Sequence, residues 1–100
     1  MYRLMRSAKI KAGAPMEVVL VAQEIADYVN EKYPEQNTRV YTPVFSELGK
    51  VIWFTEVENL ASAEELQGKL RADSDYVAIV SKLAGKLIEG SGRDELFQSL

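Results

Sequence analysis

The sequence predicts an α+β fold, an antiparallel sheet with helices packed on one face. Apolar and polar residues alternate with period two over 2–10, and Lys50 to Val57 is rich in β-forming residues, both marks of strands. Between Met16 and Tyr33 the apolar period lengthens to three and four residues, that of a helix with one buried stripe. The segments run strand, helix, strand, strand, helix pair, strand. All 100 residues are expected to form one domain, 1–100.

Taking the elements in order, Tyr2, Leu4, Arg6, Ala8 and Ile10 share one side of the first strand, and Arg3, Met5, Ser7 and Lys9 the other. Gly13-Ala14-Pro15 ends it, and Pro15 suits a first helical position, where a missing N–H costs nothing. Val18, Val21, Ala22, Ile25, Ala26, Val29 and Tyr33 form the buried stripe of the first helix, which Pro34 stops. Thr38 to Ser46 and Lys50 to Val57 read as the arms of a hairpin around Glu47-Leu48-Gly49, with Gly49 supplying a positive φ. Pro43 cannot donate to a ladder, so the first arm is expected at a sheet edge or bulged. Ser62-Ala63-Glu64-Glu65 reads as a capping box opening a short helix to about Arg71. Asp73-Ser74-Asp75 reads as a second cap, for a helix running through Tyr76, Ile79, Val80, Leu83 and Leu87 with Gly85 tolerated inside it. Gly90-Ser91-Gly92 is expected to end that helix as a C-cap and hinge, and Arg93 to Leu100 to form a last strand.

This order is that of the ferredoxin-like βαββαβ plan, with helices on one sheet face only. The strands, however, are apolar on both faces. Trp53 alternates with Phe54, and Tyr41 and Phe45 with Val40 and Val44. A sheet with one solvated face should read hydrophobic-in and polar-out, so the second face needs a cover. A second copy of the chain is the expected cover, giving a homodimer with closed symmetry.

Composition narrows function by exclusion. Hydrophobic residues make up 47% and charged residues 27%, as in an ordinary globular protein. The net charge of −3 and scattered Lys and Arg give no footprint for nucleic acid. There is no cysteine and no histidine, which removes disulfides, thiolate nucleophiles, iron–sulfur clusters, imidazole bases and His-ligated haem or metal. No cofactor is expected. The longest strongly apolar run, Val18 to Ala22, is too short for a bilayer, and the N-terminal residues lack the apolar core of a signal peptide, so a cytoplasmic protein without membrane contact is expected.

On Gly49, Val51, Trp53, Glu56, Leu60, Glu64, Glu65 and Leu70, then Asp73, and finally Gly90-Ser91, Asp94 and Leu96, the chain resembles the dimeric α+β barrel superfamily and looks like its small NIPSNAP-like proteins. The resemblance spans essentially the whole chain. It implies a ferredoxin-like sheet that dimerises through its open face, with pockets between sheet and helices. The wider superfamily includes cofactor-free oxygenases, isomerases and haem-handling proteins. This chain departs from the haem-handling branches in having no histidine, and no catalytic set carries over from the others.

The candidate residues each have two readings. Glu56, after Ile52 and Phe54 on one strand face, is either a desolvated general base or an ion-pair partner of Arg3, Arg6 or Arg39. Arg6 either holds a substrate carboxylate or spreads its stem over the sheet and pairs with an acid, and Arg39 has the same two readings nearer an edge. Trp53, Phe54, Tyr41 and Phe45 either line an aromatic pocket, with Tyr41 or Tyr28 supplying a hydroxyl, or form core and interface. Asp73 and Asp75 read as helix caps rather than metal ligands, so no metal site is expected.

Three functions compete on this basis. The first is a small homodimeric protein binding a hydrophobic or aromatic small molecule. The second is a cofactor-free oxygenase or isomerase using Glu56 or Tyr41. The third is an interaction module without catalysis.

Overall fold

The computed structural model of the chain describes residues 1–13, 15–45 and 48–100. The described elements are β1 (Tyr2–Lys9), α1 (Pro15–Lys32), a 3-10 turn (Pro34–Gln36), β2 (Arg39–Tyr41), β3 (Lys50–Val57), α2 (Leu60–Arg71), α3 (Ser74–Ser81) and β4 (Arg93–Gln98). The strands form one sheet in the order β2-β3-β1-β4, with every neighbouring pair antiparallel. This is the expected ferredoxin-like α+β plan.

The register fixes which side chains share a face. Trp53 lies opposite Arg6 on one side and Val40 on the other, and Arg6 lies opposite Asp94. Val40, Trp53, Arg6 and Asp94 therefore form one row across the helix-covered face. Phe54 sits in the adjacent row with Arg39, Met5 and Glu95, on the open face. Along β3 the alternation is strict: Val51, Trp53, Thr55 and Val57 are buried, and the residues between them are half-buried.

Two clusters fill the covered side. Val18, Ala22, Ile25 and Ala26 of α1 pack with Val51, Trp53, Ile10 and Leu83, while Val29 packs with Leu66 and Leu70 of α2. These α1 residues are the stripe read from the sequence. Tyr76 of α3 leans on both clusters.

Three local expectations are corrected. The first hairpin arm pairs only over Arg39–Tyr41, and Val44 and Phe45 lie outside any strand, 79% and 85% exposed. Pro43 cannot continue the ladder, which explains the early end. Ser46 and Glu47 fall outside the described residues, while Gly49 takes φ +74° as the hairpin turn requires. The cap of α2 is Asn59 rather than Ser62, its side chain accepting from the Ser62 N–H at 2.8 Å. Leu60 and Ala61 are thereby drawn into the helix, and Ser62 becomes the capped donor. The last helix ends at Ser81, well before Gly90, and Gly85 adopts φ +76° in the turns beyond it. Those turns return the chain to β1, where Lys11 donates to Lys86 O at 2.9 Å and Ile88 donates to Lys9 O at 2.8 Å.

Asp73 does cap α3, accepting from the N–H groups of Asp75 and Tyr76 at 3.0 and 3.2 Å. Its other oxygen accepts from the Tyr28 hydroxyl and the Lys32 ammonium, both at 2.6 Å. One carboxylate thus ties the end of α1 to the start of α3.

Candidate functional site

A cavity of about 410 Å³ lies between the sheet and the helices, at the junction of the two core clusters. Its floor is the covered sheet face, with Leu4, Arg6, Ala8, Trp53 and Thr55. Ile25 and Val29 of α1 and Leu66 and Leu70 of α2 form walls, and Tyr76, Val80 and Leu83 close it from the α3 side. The volume falls in the range of small-molecule pockets, and the lining is mainly apolar with a few convergent polar groups.

Those polar groups gather at two places. The first is centred on Arg6. Its Nε and Nη2 donate to the two Asp94 carboxylate oxygens at 2.8 and 2.9 Å, and Nη2 also donates to Gln67 Oε1 at 2.9 Å. This is a fork-on-fork pair, set by the cross-strand register of β1 and β4. The Asp94 carboxylate holds the Arg6 guanidinium above its usual pKa, and Arg6 in turn holds the Asp94 carboxyl below the ordinary range. Burial pushes the Tyr76 phenol up, partly offset by the nearby Arg6 charge. The second polar place is deeper: the hydroxyls of Thr38 and Thr55 pair at 3.0 Å, both residues buried. Asn30 fixes Thr38 from α1, accepting from its N–H and donating to its carbonyl at 2.7 and 2.8 Å.

The sequence-predicted residues separate between two faces. Trp53 and Arg6 line the cavity, with the Trp53 indole N–H donating to Ala22 O at 3.1 Å. Tyr41, Phe54 and Glu56 lie on the open face, where the Tyr41 and Phe54 rings meet edge to face at 5.5 Å. Glu56 pairs with Arg3 at 3.7 Å, which is its structural reading. Arg39 also lies on that face, opposite Phe54. Phe45 is exposed in the connection after β2, and Tyr28 is engaged with Asp73. The four-aromatic pocket is therefore not assembled within one chain.

Sequence reasoning missed Gln67, Tyr76 and the role of Asp94. Asp94 had a readable signal: it stands two residues before Leu96, so it shares the inward face, and the ferredoxin-like order sets its strand beside that of Arg6. Gln67 carried a weaker one, a polar residue next to the Ala63, Leu66 and Leu70 stripe of α2. Among the described residues, no three His, Cys, Asp or Glu side chains gather as a metal set, and no helix is long and apolar enough to cross a membrane.

No protein-family model and no curated protein matches the sequence. Solved structures do match. A NIPSNAP domain protein from Burkholderia xenovorans superposes with a TM-score of 0.80 at 17% identity, covering 100% of this chain and 95% of that one. A NIPSNAP family protein from Agrobacterium tumefaciens gives 0.83 at 17% identity, over 99% of this chain and 85% of that one. An antibiotic biosynthesis monooxygenase gives 0.72 at 13% identity, over 100% and 99% of the two chains. The chain has the ferredoxin-like α+β fold that these proteins share.

Proposed function

We propose that this protein binds an aromatic or otherwise apolar small molecule in the cavity between its sheet and its helices. The observation that supports this is the cavity itself: about 410 Å³, walled by Leu, Val and Ile side chains, with the Trp53 ring on its floor and Arg6 at one end. Burial of a flat ligand against such walls supplies affinity, and a few fixed polar groups supply orientation. Trp53 is the one tryptophan of the chain, so its emission reports cavity occupancy directly. Titration with a panel of bicyclic aromatic compounds is expected to shift or quench that emission and to raise the melting temperature. A panel that moves neither overturns the reading.

The same proposal includes a homodimer formed through the open sheet face. Met5, Ile52 and Phe54 are only half-buried there, and Tyr41 and Phe97 are 47% and 45% exposed. Arg39 and Glu95 flank Phe54 and Met5 at the two ends of one row, and Glu56 and Arg3 share the next row with Phe97, so charged groups accompany the apolar ones on this face. A cytoplasmic location belongs to this proposal too, tested by cell fractionation.

A second reading is chemistry on the bound molecule without a cofactor, as an oxygenase or isomerase. It draws on the fold likeness to an antibiotic biosynthesis monooxygenase and on the Tyr76 phenol, which lies in the cavity where Glu56 and Tyr41 do not. Oxygen uptake or product formation after addition of a compound that binds would support it. Recovery of that compound unchanged would leave binding as the activity.

A further inference from the structure

We infer that the cavity selects an aromatic ligand bearing a neutral hydrogen-bond acceptor of the ketone or aldehyde type, and discriminates against carboxylic acids. This rests on the cavity-binding reading above and concerns the ligand's polar end. A guanidinium offers two parallel donor pairs to a carboxylate, Nε with Nη2 and Nη1 with Nη2. In Arg6 the first pair is fully engaged by Asp94, through bonds of 2.8 and 2.9 Å. The second has lost its Nη2 half to Gln67 Oε1 at 2.9 Å. No complete fork remains for an incoming carboxylate.

What remains is Nη1, whose N–H groups diverge; with the Tyr76 hydroxyl also held against this guanidinium, there is room for a single acceptor atom. A carbonyl oxygen is such an acceptor and carries no charge. A ligand carboxylate would bind through one oxygen only, beside the negative charge that Asp94 already brings to the same guanidinium. Like charges at that separation repel, and the repulsion grows as the site is dried by an apolar ligand. The Arg6–Asp94 pair is therefore neutral as a unit, and it favours a ligand that is neutral as well. The surrounding Leu66, Leu70 and Val80 side chains provide the apolar walls for the ring system.

Three probes of one shape test this: 2-acetylnaphthalene, 2-naphthoate and 2-ethylnaphthalene, titrated by calorimetry into the whole protein at pH 7. The ketone is expected to bind at least tenfold tighter than the carboxylate and several-fold tighter than the ethyl compound. A carboxylate that binds as tightly as the ketone, or tighter, overturns the inference while leaving cavity binding intact. Equal binding of the ketone and the ethyl compound does the same. Failure of all three overturns the cavity reading and this inference with it. In Asp94→Asn, a neutral substitution on a partly exposed edge strand, the ketone-to-carboxylate preference is expected to shrink at least tenfold. An unchanged preference there shows that Asp94 is not its source and overturns the argument.

Discussion

The Trp53 indole N–H donates to the main-chain carbonyl of Ala22 at 3.1 Å, fastening the central strand to the long helix through a buried bond. Trp53→Phe keeps an aromatic ring but removes the donor and leaves unfilled volume beside the cavity. Lost packing and a lost buried hydrogen bond together should cost about 2–4 kcal/mol. Urea unfolding followed by far-UV circular dichroism measures it, and a loss below about 1 kcal/mol would mean that the bond and the packing contribute little.

Asp73 makes stability depend on pH in a definite direction. Lys32 first, then Tyr28, hold its carboxyl well below the usual carboxylate range, while Asp73 and Tyr28 hold the Lys32 ammonium above the usual lysine range. A depressed carboxylate contributes stability that is complete above its unfolded pKa and drains as pH falls through the folded value. A raised ammonium contributes stability that is complete below its unfolded pKa and is lost as pH rises through the folded value. The contribution of this pair should thus be flat between about pH 5 and pH 9.5 and decline outside that window. Asp73→Asn, which keeps a capping oxygen, should lower the melting temperature less than Asp73→Ala and flatten the acid limb. An acid limb identical to wild type would show that the carboxylate is not linked to folding.

Arg6 should matter more for binding than for folding. Its side chain and that of Asp94 are 38% and 51% exposed, so solvent weakens the ion pair. Arg6→Met preserves most of the stem over the sheet. It should change stability by no more than about 1 kcal/mol. The same variant should weaken binding of 2-acetylnaphthalene by a factor of ten or more. Measuring the melting temperature and the calorimetric Kd on one preparation separates the two effects.

The open face is tested at Phe54. A glutamate there would have Arg39 opposite it and Arg3 close by, since the Arg3 guanidinium already lies 5.7 Å from the Phe54 ring. Each chain can accommodate the charge, whereas two sheets packed face to face would bury it. Light scattering should show wild type at twice the mass of the 11.2 kDa chain and Phe54→Glu at that mass. A wild-type protein that is monomeric at all concentrations would remove the dimer from the proposal.

Period and punctuation made most of the fold legible in the sequence. The alternation from Val51 to Val57 places Trp53 and Phe54 on opposite faces, and the α1 stripe from Val18 to Val29 is buried as its spacing requires. The boundaries that went astray depend on competition between neighbouring signals. Asn59 and Ser62 are both good caps three residues apart, and the stripe of Ala63, Leu66 and Leu70 falls inside the helix whichever of them starts it. Gly85 is compatible with a helix interior, but its positive φ belongs to the turns that bring Leu87 against Ile10. The polar end of the cavity was harder to read. Arg6, Gln67, Tyr76 and Asp94 come from four different elements, and their meeting is a property of strand order and helix placement that no local pattern records. The aromatic residues divide as the pleat requires, Trp53 toward the helices and Phe54 and Tyr41 on the open face.

The shortness of β2 also governs how the molecule behaves in a crowd. A sheet grows into a fibril when its outermost strands offer a long row of free N–H and carbonyl groups to the next chain. Here one boundary strand pairs over only Arg39–Tyr41 and is followed by Pro43, which has no N–H to offer. The other carries Arg93, Asp94 and Glu95 in succession, charges that a recruited strand would have to accommodate. Neither side templates further pairing well. The half-buried apolar side chains of the open face are thus bounded by edges that resist runaway polymerisation.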